Sequence, residues 1–184
     1  TQGMVCHETY KTENNDWVFP SDVIEKDGLY RHSKTDEKII KGPVESMSKS
    51  KKNVIDPENI IKEYGADTAR WFMLSDSPPE RDINWSLSGI NGAWRFTQKF
   101  WRVIRDCKNI FDVNIDMKPK EFDTNTIKFR KKIHKNLKLI TDGINSFQMN
   151  VAVAKIHELT SEISNFSVKD LSLIHISEPT RPYW

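Results

Sequence analysis

Cysteine is scarce. The 184 residues contain two, Cys6 and Cys107, about a hundred positions apart. Neither belongs to a pair with metal-ligand spacing, so no metal site is expected, and a disulfide framework is implausible. A reduced, cytoplasmic setting fits this usage. Long apolar runs are also missing. Nothing approaches the roughly 18–20 residues needed to cross a bilayer as a helix, and no signal peptide is visible. An initiator methionine is absent as well, since the chain opens Thr1-Gln2-Gly3-Met4, which reads as a start inside a longer protein. Charge of one sign is nearly absent in the sum, at +2.

What is present is bulk and local charge. Hydrophobic residues make up 37% and charged residues 29%, with six Trp and nine Phe. Such a composition can build a core and lacks the signature of disorder. The charge is unevenly spread. From Lys99 to Lys138 there are twelve Lys or Arg against five Asp or Glu. A stretch of that kind can follow a phosphate backbone, although solvated helix faces give the same count.

The first ten residues read as a strand. Residues 11–45 are polar, with turn signals at Asn14-Asn15-Asp16, Asp27-Gly28 and Gly42-Pro43 and short strands expected over 29–31 and 38–41. Asp56-Pro57-Glu58 predicts a helix start, because Asp56 can cap orphan amides and Pro57 at the first helical position wastes no donor. Ile60, Ile61 and Tyr64 form its apolar face, and Gly65 suits a left-handed cap. Asp67 is expected to cap a short helix over 68–74, which Ser77-Pro78-Pro79 ends. Ser86 or Ser88 opens a long helix with Ile90, Ala93, Thr97, Phe100, Trp101, Ile104, Cys107 and Phe111 at helical spacing. Trp94, Phe100 and Trp101 are therefore expected in the core. After a linker over 112–121, two more amphipathic helices begin near Asp123 and Asn150. Three such helices predict an antiparallel bundle. The stretch 171–184 continues no pattern. It looks like the peptide made when a cloning or sequencing adapter is read in frame, and it is set aside.

One segment carries chemistry. Met47-Ser48-Lys49-Ser50-Lys51-Lys52-Asn53 places three lysines and two hydroxyls in a loop before a capped helix. Lysine ammonium groups bind phosphate as mobile point charges, and hydroxyls and loop amides add hydrogen bonds. By composition alone an exposed basic turn is the commoner explanation. The order of residues changes that. Met47-Ser48-Lys49-Ser50, then Asn53-Val54-Ile55-Asp56-Pro57, then Tyr64-Gly65-Ala66-Asp67-Thr68-Ala69-Arg70, resembles the signature region of class I aminoacyl-tRNA synthetases, in the subgroup for leucine, isoleucine, valine and methionine. Gln2-Gly3-Met4-Val5, Trp17 with Pro20, Ser77-Pro78-Pro79-Glu80-Arg81-Asp82-Ile83-Asn84-Trp85 and Gly89-Ile90-Asn91-Gly92-Ala93-Trp94-Arg95-Phe96 are most similar to the leucyl family.

The resemblance implies a mainly α chain with a small α/β remnant. Residues 1–76 would end a Rossmann-like catalytic domain whose signature ATP loop lies at 46–50. Residues 77–112 would form a connecting segment and first bundle helix, and 113–170 part of a helical bundle of the anticodon-binding type. It implies a leucine–tRNA ligase that activates leucine with ATP and Mg²⁺, the metal entering with the nucleotide, and esterifies tRNA-Leu. Lys49 is implied as the catalytic phosphate contact, with Met47, Ser48, Lys49, Ser50 and Lys51 around ATP. Arg95, Lys99, Arg102, Arg130, Lys131 and Lys135 are candidates for the tRNA backbone. Val54 and Ile55 would lend backbone groups near adenine. The family motif begins with lysine where this chain has Ser46, which puts a two-lysine clamp in doubt, with Lys51 or Lys52 as possible compensation. The chain alone is expected to be inactive. The alternatives are an isoleucyl, valyl or methionyl enzyme, or a non-catalytic RNA-binding helical module. Cys6-His7 is read as ordinary strand, Met47 as a loop anchor, Asp67 and Arg70 as structural, and Asp82 with Trp85 as shaping the junction before the bundle.

Overall fold

A computed structural model describes residues 3–111 and 123–166, excepting the side chains of 106–111. The expected linker and the segment 171–184 lie outside the described residues, as do the side chains of Cys107 and Phe111. The chain divides into two compact units, up to Ala93 and from Trp94 onward. None of the described helices is long and apolar enough to cross a membrane.

The first unit is built on β1 (Val5–Thr12), β4 (Ile39–Ser46) and β5 (Ile83–Asn84), in the order β4-β1-β5. β4 runs antiparallel to β1 with Cys6 opposite Ser46 and Glu8 opposite Val44, and the register shifts between Glu8 and Tyr10. β5 is parallel to β1, with Val5 opposite Ile83. Gly3 sits where these strands converge. A Cβ there would stand 2.0 Å from the Arg81 carbonyl oxygen, so only glycine fits without displacement.

Gly42-Pro43, expected to turn, instead lies within β4. Proline is tolerated because β4 is an edge strand and the register shift opposite it removes the need for a ladder donor. The Thr9 hydroxyl donates to the Pro43 carbonyl at 2.9 Å, which satisfies it. A second hairpin joins β2 (Val23–Lys26) to β3 (Leu29–His32). Its two-residue turn places Asp27 at φ 52° and Gly28 at φ 75°, the positive pair that suits a twisted hairpin. β3 and the turn carry local sequence signals, whereas β2 carries none.

Helix α1 (Pro57–Tyr64) starts as its sequence predicts, with the Glu58 amide donating to Asp56 Oδ1 at 2.9 Å. Gly65 ends it with φ 86° and ψ 152°. That is a glycine conformation but not the left-handed helical one expected. As a result α2 (Ala66–Ser75) begins at once, and Asp67 is already inside it. Asp67 caps nothing and pairs instead with Arg70 at 2.8 Å on the exposed surface. Ile60, Phe72, Ile83, Ile90 and Ala93 form the core. Each fully buried aliphatic side chain of this size contributes about 1.5–3 kcal/mol. A smaller cluster gathers Tyr10, Val18 and Ile39.

Helix α3 (Leu87–Phe111) opens at Ser86, whose hydroxyl accepts from the Gly89 amide at 3.1 Å. In the second unit, α4 (Thr124–Asn145) is capped by Asp123, which accepts from the Asn125 and Thr126 amides at 2.7 and 2.9 Å. A short turn leads into α5 (Met149–Asn165), and the two helices pack as a hairpin. Ala152 lies 3.3 Å from where a Cβ on Gly143 would be, which brings the backbones close. Trp94, Phe100 and Trp101 correct the core expectation. They are 39%, 41% and 67% exposed. Phe96, one step round the helix, is buried in their place and stacks on His157 with centroids 3.6 Å apart.

Candidate functional site

The β1–β4 ladder delivers the lysine-rich loop. Beyond the Cys6–Ser46 pair one further rung forms, with the Met47 amide donating to the Val5 carbonyl at 2.9 Å. The chain then leaves the sheet. The Lys52 amide donates to the Lys49 carbonyl at 3.3 Å, closing a tight turn, and Lys52 adopts φ 54°. Ser48 and Ser50 share a hydroxyl hydrogen bond of 2.7 Å. The loop is thus anchored through the Met47 backbone, and the Met47 side chain is half-buried.

Asn53 ends the loop, and it is the residue whose role the sequence reading missed. It is completely buried. Its Oδ1 accepts from the Ser48 amide at 2.8 Å. Its Nδ2 lies 3.2 Å from the Glu45 carbonyl, 3.3 Å from the Ser46 carbonyl and 3.4 Å from the His7 carbonyl. A short amide directly before the apolar pair Val54-Ile55 was the available signal, but an amide in a polar loop is common.

The three lysines have different surroundings. Lys51 is ion-paired with Glu45. Lys52 Nζ stands 5.5 Å from the centroid of the Phe19 ring. Lys49 is exposed and its ammonium has no partner among the described residues. The structure therefore brings Met47, Ser48, Lys49, Ser50 and Lys51 together in one loop but leaves only Lys49 with an uncommitted charge on the cleft beside it.

That cleft has a volume of about 1050 Å³. Val54, Ile55, Ile60 and Trp85 give it apolar surface, Lys49 supplies a cation, and Glu8, Glu25, Asp56 and Glu63 supply carboxylates. Asp56 is engaged in its helix cap, and Glu8 is held by Lys41 at 2.5 Å and by the Tyr10 hydroxyl at 2.6 Å. Burial alone would raise the Glu8 carboxyl, but the hydrogen bonds from Lys41 and Tyr10 outweigh it and leave it below its ordinary value. Burial pushes the Tyr10 phenol well up, with the Glu8 hydrogen bond acting in the same direction, so it remains a donor. His7, also on the cleft, is pulled down by burial and stays neutral near pH 7. Trp85 packs edge-on against Phe72 at 5.3 Å, and its Nε1 is buried without a hydrogen-bond partner. Its amide donates to the Cys6 carbonyl at 2.7 Å, and Asp82 Oδ1 accepts from the Met4 amide at 2.7 Å, so both residues fasten β1. No group of three or more His, Cys, Asp or Glu among the described residues could hold a metal ion.

The basic candidates fall on two helices of the second unit. Arg95, Lys99 and Arg102 follow i, i+4, i+7 spacing on α3 and so share a stripe. Lys99 Nζ donates to Ser161 on α5 at 3.1 Å. Arg130, Lys131 and Lys135 lie on α4, with Arg130 half-buried and Lys131 and Lys135 exposed. Lys135 lines a groove of about 610 Å³ with Lys132 and Lys155. The last two are paired with Glu162 and Glu158 respectively, which lowers the positive charge of that groove.

Comparison with known proteins gives this arrangement its context. Residues 22–86 match the family model described as tRNA synthetases class I (I, L, M and V). The chain is 44% identical over 171 residues to the leucine–tRNA ligase of Paramagnetospirillum magneticum, an alignment covering 92% of this chain and 20% of that protein. It is 46% identical over 169 residues to that of Caulobacter vibrioides, covering 89% and 19%. A crystal structure of Agrobacterium radiobacter LeuRS, in ternary complex with tRNA and LeuAMS, shares the fold with TM-score 0.58 and 23% identity, over 65% of this chain and 16% of that one. The fold, with helices and a small sheet, is that of a class I tRNA synthetase. Within that class the chain belongs to the leucine–tRNA ligase family. It spans about a fifth of the length of the curated relatives it matches.

Proposed function

We propose that this chain is part of an enzyme that activates leucine with ATP and transfers it to tRNA-Leu. The observation that carries this reading is the exposed, partnerless Lys49 on a tethered loop beside the cleft, in a chain of the leucine–tRNA ligase family. ATP supplies the anhydride whose cleavage drives activation, and Mg²⁺ enters with its phosphates. The residues present fit such a ligand. Lys49 offers a point charge for phosphate oxygens, the Ser50 hydroxyl stands on the same turn, and Val54, Ile55 and Trp85 offer apolar surface for a planar base. Carboxylates elsewhere on the cleft would keep phosphate at the Lys49 end. No nucleophile from the chain is required, because Lys49 acts by stabilising charge as pyrophosphate leaves.

On this reading residues 1–76 finish a Rossmann-like catalytic domain, 77–112 connect it, and 113–170 form part of an anticodon-binding-type bundle. Arg95, Lys99, Arg102, Arg130, Lys131 and Lys135 then contact the tRNA backbone, where each lost phosphate contact reduces the salt dependence of binding. The setting is the cytoplasm, where reduced Cys6 and Cys107 belong. ATP–pyrophosphate exchange by the full-length protein, with leucine, isoleucine, valine and methionine offered separately, tests the reading. Exchange with leucine alone is expected. Preference for another of the four overturns the leucine assignment, and no exchange with any of them favours a non-catalytic RNA-binding module.

A further inference from the structure

We propose that Asn53 is the positioning residue of the loop: it fixes residues 47–52 against β1 and β4 so that Lys49 is presented at the cleft. This rests on the ATP-binding reading of the loop and goes beyond it by assigning a residue that touches no substrate.

Four observations support it. Asn53 is the one side chain of the 46–53 stretch that is wholly buried. Its amide supplies both kinds of contact that a neutral clamp needs. Oδ1 takes the Ser48 amide at 2.8 Å, and the two Nδ2 protons are shared among the carbonyls of Glu45, Ser46 and His7 at 3.2–3.4 Å. These partners are not scattered. Ser46 and Glu45 face Cys6 and His7 across adjacent rungs of the β4–β1 ladder, just before the final Met47–Val5 hydrogen bond, so Asn53 grips both strands where the loop departs. Finally, Ser48 immediately precedes Lys49, and no other described hydrogen bond ties 48–50 to the sheet. Met47 is bonded before this stretch, and the Lys51–Glu45 pair lies after it with about a third of each side chain exposed.

Asn53 thereby removes the Ser48 amide from any role as a phosphate donor and leaves the Lys49 and Ser50 amides uncommitted among the described residues. A neutral side chain suits the position. Aspartate would keep the acceptor for Ser48 but turn a second oxygen toward three carbonyls, and it would bury a charge. The proposal therefore separates shape from hydrogen bonding, since Asn53→Asp conserves volume and Asn53→Ala does not.

The test uses the full-length protein. Leucine-dependent ATP–pyrophosphate exchange by the wild type is measured first, because its absence would undo the functional reading and not the clamp. With exchange present, Asn53→Ala and Asn53→Asp are expected to lower kcat about ten- to a hundredfold, the scale of a misplaced catalytic group, while KM for leucine stays within about twofold. The deciding comparison is a double-mutant cycle. In a Lys49→Ala background the Asn53 substitutions should cost almost nothing further, because the clamp acts through Lys49. Equal losses in both backgrounds, or no loss in either, would overturn the proposal and leave Asn53 a fold residue only. Hydrogen exchange of the wild-type loop amides needs neither activity nor a folded variant. The Ser48 amide should be protected at least about tenfold more than those of Lys49 and Ser50, and equal exchange at all three would contradict the clamp.

Discussion

Lys51 closes an ion pair with Glu45, the residue opposite His7 in the β1–β4 ladder. The pair spends the charge that Lys51 would otherwise offer to a phosphate, in a loop that already has Ser46 where the family motif has lysine. Both side chains are about a third exposed, so the pair is worth roughly 0.2–1 kcal/mol and weakens with salt. Glu45→Gln should therefore lower the unfolding midpoint only slightly while freeing Lys51, and KM for ATP should fall. Thermal denaturation at two salt concentrations alongside ATP titrations checks both halves.

Ser46 is exposed, and its backbone carbonyl, not its side chain, meets Asn53. S46K can therefore restore the family lysine without disturbing the clamp. It should leave the unfolding midpoint nearly unchanged and tighten ATP about two- to tenfold, the increment of one charge-assisted contact. A variant that folds normally yet binds ATP no better would show that the first lysine position has no access to phosphate here.

Gly3→Ala tests the strand junction. The added methyl would stand 2.0 Å from the Arg81 carbonyl oxygen, a backbone atom that cannot swing aside. The strand must shift to relieve this, at a cost of about 1–3 kcal/mol. Denaturant unfolding should show that loss. In the core, Ile90→Ala, at a position with no exposed surface, should cost about 2–5 kcal/mol.

Acid should destabilise both units through histidine. His7 and His157 are pulled below the ordinary imidazole value, His7 by burial and His157 by burial and then by Lys99. Between the lowered folded value and the unfolded one near 6.5, the unfolded chain binds more protons. Stability is therefore full above about pH 6.5 and falls as the pH drops through that window. His7→Gln should flatten the pH dependence of unfolding below about pH 6.5. An unchanged slope would show that His7 is not the group responsible.

Local signals were legible in the sequence, and non-local ones were not. Asp56-Pro57 and Asp123 announced their helices because a cap involves residues two or three positions apart. β5 was invisible, being two residues that matter only by lying parallel to Val5 and Cys6 some eighty positions earlier. Gly42-Pro43 carried a turn signal, which an edge position and a register shift overrode. The α3 periodicity was real, but periodicity cannot say which stripe is covered, so Phe96 replaced Trp101 in the packed position. At the site, the loop was readable from residue order, and the resemblance led to Lys49. What Lys51 and Asn53 do depends on Glu45 and His7, whose proximity only the β1–β4 pairing creates.

Lys49 is the one cation of the 46–53 loop that lines the cleft. Leucine-dependent ATP–pyrophosphate exchange by full-length Lys49→Ala and Lys51→Ala, measured side by side, tests its role most directly. The expected result is a loss of about a hundred- to a thousandfold for Lys49→Ala, as for removal of one transition-state donor, and a loss at least tenfold smaller for Lys51→Ala. Equal losses, or a larger one at Lys51, would contradict it.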